Sequence, residues 1–184
     1  MKKIILASSS PRRRELIQLL GYPFEVCSRQ VEESINPQFS PEENVKYLAK
    51  IKAEAVAKEY KSEWIIGADT MVCLRNHILG KPKNEAEAEK MLQLLSGEKH
   101  RVITGVALIK ENTVINFCET TYVQMKVLSI QEIKQYIATG EPMDKAGAYG
   151  IQGKGAVFIE GIQGDYYNVV GLPIHQIYKR LIEN

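Results

Sequence analysis

The fold class is indicated by the stretch IILASSSPRRR, which runs from Ile4 to Arg14. Its apolar start predicts a short buried strand, and the serines that follow end that strand. Ser10 is typical of a helix N-cap, and Pro11 is typical of the first residue of a helix. Because α/β proteins are built from strands that alternate with helices, this stretch predicts an α/β fold.

The rest of the chain continues the same alternation. Capping motifs predict helices that begin after Ser40, Asn84 and Ser129. Apolar runs predict strands at 64–74, 101–109, 113–128 and 156–160, and a last helix is predicted at 172–182. Since the turn at Glu111-Asn112 makes the later strands antiparallel, we expect a mixed sheet with flanking helices. The length fits one domain over 1–184, without a linker, as a simple unit or as two lobes around a cleft.

Composition sets the broad class of the protein. The chain has 184 residues, of which 45% are hydrophobic and 25% are charged, values typical of globular proteins. The net charge of +2 is too weak to indicate stable nucleic-acid binding. Three widely spaced cysteines without a CxxC motif favour free thiols in a reducing cytosol over a zinc site or disulfides. No apolar run has the length of a signal peptide or a membrane span, so we expect a cytoplasmic protein.

The segment Ser8–Arg14 is the first candidate for binding chemistry, and it includes Ser8, Ser9, Arg12 and Arg13. A helix N-terminus presents free N–H groups and partial positive charge, both of which favour an anion. Arginine adds a planar cationic fork that matches phosphate. The alternative is a basic helix start that is simply solvated. We favour a phosphate site here.

Lys52 is the second candidate, because it interrupts an apolar helix face. Val45, Leu48, Ala49 and Val56 fall on that face at the helical period, and Lys52 lies at its centre. Such a lysine either extends outward along the apolar surface or points into a polar cleft. The sequence pattern favours neither of these two orientations of Lys52.

Asp69 lies in the motif GADT, Gly67–Thr70, directly after a predicted buried strand. A carboxylate there is costly without a partner, which favours a metal ligand or a general base over a turn residue that caps its own backbone. The sequence does not separate the two functional roles. Thr70 is either a ligand contact or merely a strand former. Glu33 is a weaker candidate for a second metal-binding carboxylate. It belongs to the pair Glu32-Glu33, and adjacent acidic residues usually lie on the surface.

Two further segments carry polar candidates. Lys81, in the turn Gly80-Lys81-Pro82, either reaches a phosphate or is solvated. The stretch Lys145–Gly155 is rich in glycine but lacks the P-loop spacing, so a kinase-like or GTPase-like loop is excluded. Gln152 within it carries an amide that can recognise a base edge, or it belongs to a flexible turn.

Five motifs taken together resemble the Maf family of nucleoside triphosphate pyrophosphatases. In chain order they are ASSSPRR from Ala7, GADT from Gly67, GKP from Gly80, KAGAYGIQG from Lys145 and GDYYNVVGLP from Gly164. They span nearly the whole chain.

The resemblance implies a fold like that of the inosine triphosphate pyrophosphatases, with two lobes around a cleft over a mixed sheet. It implies hydrolysis of dTTP and UTP to the monophosphate and pyrophosphate with Mg²⁺ or Mn²⁺. Asp69, with Glu33, would hold the metal and activate water, while Arg12, Arg13, Lys52 and Lys81 would bind the triphosphate. The resemblance assigns base selection to Arg12, Thr70 and Gln152. It also implies a homodimer and a link to inhibition of septum formation.

The alternative from another class is a non-catalytic regulator of septation that binds nucleotide or nucleic acid. The basic cluster Arg12–Arg14 allows it. Asp69 argues against it, because a negative charge among these cations is out of place in a phosphate binder that uses no metal. We therefore expect an enzyme.

Overall fold

The computed structural model describes residues 3–60, 62–75 and 77–183. Within these ranges the chain forms a mixed sheet and α-helices, as the sequence predicts. The strands are β1 (Ile4–Leu6), β2 (Phe24–Val26), β3 (Trp64–Leu74), β4 (His77–Leu79), β5 (Lys99–Lys110), β6 (Thr113–Met125) and β7 (Ile159–Gln163). The helices are α1 (Pro11–Gln18), α2 (Pro41–Ala57), α3 (Glu85–Leu95), α4 (Ile130–Ile137), α5 (Tyr166–Val170) and α6 (Ile174–Glu183).

The sheet has the strand order β2-β1-β3-β5-β6-β7, and β4 pairs with β3. β1 is parallel to both β2 and β3, with Ile4 opposite Phe24 and Trp64. β4 is antiparallel to β3, and β7 is antiparallel to β6. The predicted mixed sheet is therefore confirmed.

Contacts along the chain divide it into two compact units. Unit 1 comprises residues up to Thr70, residues 104–119 and residues from Tyr167 onward. Its core includes Ile5, Ala49, Ala53, Ile65 and Ala107, so α2 packs on strands of the sheet. Unit 2 comprises residues 71–103 and 120–166, and in it α3 packs against α4.

Local sequence explains where the main helices begin. Ser40 accepts a hydrogen bond from the Glu43 N–H, and the Glu43 carboxylate accepts one from the Ser40 N–H. Ser129 and Glu132 form the same reciprocal motif at α4. Each such cap is worth about 1 kcal/mol, which explains why these boundaries were predictable.

The sequence was less accurate at short elements. β2, β4 and α5 were not predicted, and the strand predicted at 156–160 is displaced. Residues Lys154–Phe158 form a 3₁₀ turn, and β7 follows it at Ile159–Gln163. The glycine-rich stretch contains two more 3₁₀ turns, Glu141–Asp144 and Ala146–Ala148. Among the described residues, no helix combines the length and apolar character needed to cross a bilayer.

Candidate active site

Two carboxylates of unit 1 converge on the ammonium group of Lys52. Lys52 Nζ donates to Asp69 Oδ1 at 2.7 Å and lies 2.7 Å from Glu33 Oε2. The side chains of Lys52 and Asp69 are each 13% exposed, whereas that of Glu33 is 54% exposed. Lys52 therefore points at acidic groups, and the alternative of an outward-extended surface lysine is wrong.

Gly67 explains how α2 comes close enough to β3 for this contact. A Cβ on Gly67 would meet the carbonyl oxygen of Ala49 and would lie 2.8 Å from the backbone nitrogen of Ala53. Only glycine leaves room for the helix backbone there. Gly67 and Asp69 lie two residues apart on one strand, so both face the same side of the sheet, toward α2. The motif GADT thus places its carboxylate beside Lys52.

Arg13 is fixed by three hydrogen bonds within unit 1. Its Nε donates to the carbonyl oxygen of Gly171 at 2.8 Å. Its two terminal nitrogens donate to Ser8 Oγ at 3.3 Å and to Thr70 Oγ1 at 2.9 Å. Each terminal nitrogen carries two N–H groups, so both retain one for a ligand.

Electrostatics at Arg13 reflect both burial and nearby charge. Burial lowers the pKa of the Arg13 guanidinium from its usual value, the neighbouring Asp69 opposes that effect, and the pKa stays lowered overall. An arginine nevertheless keeps its charge in proteins. The site therefore combines a fixed guanidinium with the carboxylate of Asp69.

The hydroxyl group of Thr70 belongs to a chain of hydrogen bonds. Thr104 Oγ1 donates to the carbonyl oxygen of Asn168 at 3.0 Å. Thr104 Oγ1 also lies 3.0 Å from Thr70 Oγ1, and because its proton is already used, Thr70 is the donor in this pair. The Thr70 hydroxyl thus donates to Thr104 and accepts from Arg13, which makes it a support for the guanidinium.

Thr104, Asn168 and Gly171 were not among the predicted site residues. Thr104 and Asn168 are both fully buried polar residues. A threonine within the apolar run Val102–Ile109 was the signal that could have drawn attention to Thr104. Asn168 and Gly171 lie in the motif GDYYNVVGLP, whose residues were not predicted to belong to the site.

The remaining predicted residues differ in exposure. In unit 1, Ser8 is buried, Arg12 is half-buried and Ser9 is exposed. Lys81 and Gln152 lie in unit 2, where both are exposed. The Gly147 N–H donates to the carbonyl oxygen of Gly80 at 3.0 Å, and this bond holds the turn of Lys81 against the glycine-rich stretch.

Asp69 and Glu33 fit a divalent cation. No group of three or more His, Cys, Asp or Glu side chains that could hold a metal occurs in the described parts of the chain. Mg²⁺, however, commonly uses one or two protein carboxylates and completes its shell with substrate phosphates and water. Asp69 and Glu33 already converge on one cationic group, that of Lys52. This pair is therefore suited to Mg²⁺ or Mn²⁺.

Comparison with known proteins supports the resemblance to the Maf family that the five sequence motifs indicate. The family model described as Maf-like protein matches residues 3–184. The chain belongs to the Maf family. A Maf relative named dTTP/UTP pyrophosphatase from Bacillus cereus (strain ATCC 10987 / NRS 248) is 55% identical over 98% of this chain and 89% of its own length. A relative of the same name from Bacillus cytotoxicus is 55% identical over 98% of this chain and 95% of its own length.

Solved structures confirm the predicted fold of this Maf family member. The Staphylococcus aureus Ham1 protein matches with a TM-score of 0.58 at 18% identity, covering 99% of each chain. A HAM1 protein from Coxiella burnetii matches with a TM-score of 0.56 at 18% identity, covering 100% of each chain. At this identity the likeness concerns the fold alone.

Proposed function

We propose that this protein is a nucleoside triphosphate pyrophosphatase that hydrolyses dTTP and UTP to the monophosphate and pyrophosphate. The observation that carries the proposal is the position of Asp69, whose carboxylate lies 2.7 Å from Lys52 beside a fixed arginine. The names of the relatives, 55% identical over nearly the whole chain, support the same substrates.

Phosphate binding is assigned to the cationic groups. Arg13 offers one free N–H on each terminal nitrogen, in the planar geometry that suits phosphate oxygens. Ser8 and Ser9, which precede α1, are proposed to contact the phosphates as well, beside the N–H groups of the first turn of α1, which favour anions. Arg12, Lys52 and Lys81 are proposed to neutralise the remaining charge of the triphosphate.

The chemical step is assigned to Asp69. Water attacks the α-phosphorus, an oxygen–phosphorus bond forms, and the bond to the bridging oxygen breaks as pyrophosphate leaves with its electron pair. The water proton passes to a carboxylate oxygen of Asp69, acting as general base. Asp69 and Glu33 would hold Mg²⁺ or Mn²⁺, which when bound neutralises triphosphate charge and lowers the pKa of bound water. Either role of Asp69, base or ligand, requires its charge.

Base selection is assigned to Gln152, with Arg12 and Thr70 as further contributors. The Gln152 amide can donate an N–H to a pyrimidine carbonyl and accept from its ring N–H. Uracil and thymine share this edge, whereas cytosine presents an amino group in place of one carbonyl. Unpaired polar groups against cytosine would cost about 1–3 kcal/mol.

A nucleotide panel tests the proposal. The protein is incubated with Mg²⁺ and each of dTTP, UTP, CTP, ATP and GTP, and released pyrophosphate is measured. We expect dTTP and UTP to exceed the other three, and Gln152→Ala to narrow the gap. Gln135→Ala, at an exposed position on α4, is the matched control. A preference for a purine nucleotide, or unchanged selectivity in Gln152→Ala, would contradict the assignment.

A further inference from the structure

The carboxylate of Glu141 binds the backbone of the loop that carries Gln152. Its Oε2 accepts from the Lys154 N–H at 2.8 Å, and its Oε1 accepts from the Gly155 N–H at 3.2 Å. Both bonds lie within unit 2. Gln152 itself is exposed, two residues before the first of these N–H groups. Glu141 therefore fixes the chain directly after Gln152.

Tyr136 extends the same contact to the other side of Gln152. Its hydroxyl donates to Glu141 Oε1 at 2.8 Å and accepts from the Gly150 N–H at 3.1 Å. The ring is buried and lies edge-on to Phe158, with the ring centroids 5.1 Å apart. Gly150 and Lys154 lie on either side of Gln152, so the loop is held at both ends by one hydrogen-bonded pair.

The glycines of the loop are what let it approach the pair so closely. A Cβ on Gly153 would overlap both carboxylate oxygens of Glu141 and lie 2.5 Å from its Cδ. A Cβ on Gly155 would lie 2.7 Å from the Tyr136 hydroxyl. A side chain at either position would force the loop, or the Glu141 and Tyr136 side chains, to shift from this arrangement. The motif thus combines an exposed amide with a backbone that fits against a carboxylate.

The carboxylate of Glu141 is held in its charged form. Burial by itself would raise the pKa of Glu141, but the N–H groups of Lys154 and Gly155, the Tyr136 hydroxyl and the charge of Lys145 outweigh it, and the pKa is lowered. Lys145 also donates to the Glu141 carbonyl oxygen at 2.7 Å, which fixes the backbone of Glu141. A charged carboxylate accepts stronger hydrogen bonds than a neutral one.

We infer that Glu141, together with Tyr136, is a positioning residue for Gln152 and thereby determines how well the protein distinguishes thymine and uracil from cytosine. The inference rests on the proposed function, because it takes Gln152 as the residue that recognises the base. Glu141 makes its contacts with loop backbone, so its influence on the base passes through the position of Gln152.

Glu141→Gln and Tyr136→Phe test this inference. Glutamine keeps the length but replaces one acceptor oxygen with an N–H₂ group, and phenylalanine keeps the ring packing but removes the hydroxyl. We expect Glu141→Gln to lower the ratio of kcat/KM for dTTP over CTP about tenfold, mainly through KM for dTTP. Tyr136→Phe should change the ratio in the same direction and gives a second test if Glu141→Gln folds poorly.

A double-mutant cycle with Gln152→Ala separates positioning from general damage. In the Gln152→Ala background, Glu141→Gln should leave the dTTP/CTP ratio unchanged, because the side chain through which it acts is gone. Glu132→Gln is the control, since Glu132 is also a hydrogen-bonded carboxylate of unit 2 but caps α4. It should lower the melting temperature without changing selectivity.

Two results would overturn the inference while leaving the proposed function intact. One is a preference for dTTP and UTP that is as large in Glu141→Gln and in Tyr136→Phe as in the wild-type protein. The other is an equal loss of selectivity with and without Gln152. If the wild-type protein showed no preference for dTTP or UTP, both the proposed function and this inference would be overturned. The nucleotide panel measured with the wild-type protein alone shows whether this is so.

Discussion

Asp69 and Lys52 form an ion pair at 2.7 Å, although each side chain is only 13% exposed. Removing two charges from water costs free energy that the pair only partly recovers, so such pairs are weak evidence for stability. Glu33 adds a second carboxylate to the same ammonium, and the Arg13 guanidinium interacts electrostatically with both carboxylates, so these four groups carry no net charge. Two carboxylates that meet at one point are a suitable ligand pair for a divalent cation, which gives this ion pair a functional explanation.

Lys52→Met tests whether the ammonium and a metal ion compete for the two carboxylates. Methionine keeps much of the side-chain volume but removes the charge. We expect Mn²⁺ to bind about tenfold more tightly, because Asp69 and Glu33 lose their present cation. Isothermal titration calorimetry without nucleotide measures this directly. Pyrophosphate release should fall, since a phosphate-binding charge is lost.

Lys50→Met is the matched control for that experiment. Lys50 lies on the same helix, but its side chain is 44% exposed and pairs with Glu54. Its substitution should leave both Mn²⁺ affinity and turnover close to wild type. Weaker Mn²⁺ binding in Lys52→Met would contradict the assignment of Asp69 and Glu33 as ligands.

Arg13→Lys tests the geometry of the guanidinium. Lysine keeps the charge but cannot bind Gly171, Ser8 and Thr70 and still present two N–H groups to a phosphate. We expect kcat/KM for dTTP to fall about 10- to 100-fold. Arg14→Lys, at the exposed neighbouring position, should change it little. Equal kinetics for the two variants would show that only the overall positive charge matters.

Thr104→Val tests the support behind Arg13. Valine keeps the shape of threonine but removes the donor to Asn168 and the acceptor for Thr70. The Asn168 carbonyl accepts its bond in a buried region and the Thr70 hydroxyl is half-buried, so the loss should lower the free energy of unfolding by about 1–3 kcal/mol. We also expect kcat/KM to fall by a similar factor for dTTP and UTP, because Thr104 acts through Arg13. Thermal unfolding and kinetics check both effects, and Thr104→Ser should restore them.

Local signals in the sequence were sufficient for much of the fold. Capping motifs at Ser40, Asn84 and Ser129 and the apolar run of β3 are decided by residues close in sequence, so those helices and that strand were placed correctly. β2 has three residues and pairs with β1, which lies about twenty residues before it. β4 also has three residues and pairs with the end of β3, only a few residues before it. A short apolar run alone does not reveal such a partner.

In the candidate site, too, only the residues with a local sequence signal could be predicted. Lys52 stood out because a charge broke an apolar helix face, and Asp69 because a carboxylate followed a buried strand. Thr104 and Gly171 support Arg13 from positions 91 and 158 residues away in the chain, through a hydroxyl and a main-chain carbonyl. No spacing rule predicts such contacts, because only the tertiary fold brings these groups together. The same reason applies to Glu141, whose partners are backbone N–H groups.

His100 predicts a pH dependence of stability. It is 1% exposed, and burial lowers its pKa from its ordinary value to about 4. The unfolded chain therefore binds more protons than the folded chain between about pH 6.5 and 4, so stability falls as pH falls through this window. The expected loss is on the order of 3 kcal/mol.

Urea unfolding at a series of pH values measures this effect. His100→Phe keeps an aromatic ring against Tyr149 but cannot titrate, so the fall in stability between about pH 6.5 and 4 should be smaller than in wild type. The same substitution at the exposed His175 is the control. An undiminished fall in His100→Phe would contradict the prediction.

The most direct test of the central claim is pyrophosphate release from dTTP by wild-type protein and by Asp69→Asn, with Mg²⁺ at saturating nucleotide. Asparagine keeps the shape of the side chain and removes its charge. The variant therefore has no carboxylate at this position to accept a proton or to hold a metal ion. We predict that the wild-type protein releases equimolar dTMP and pyrophosphate and that kcat is at least about 100-fold lower in Asp69→Asn. Near-normal turnover in that variant, or nucleotide binding without any hydrolysis by the wild-type protein, would contradict the account.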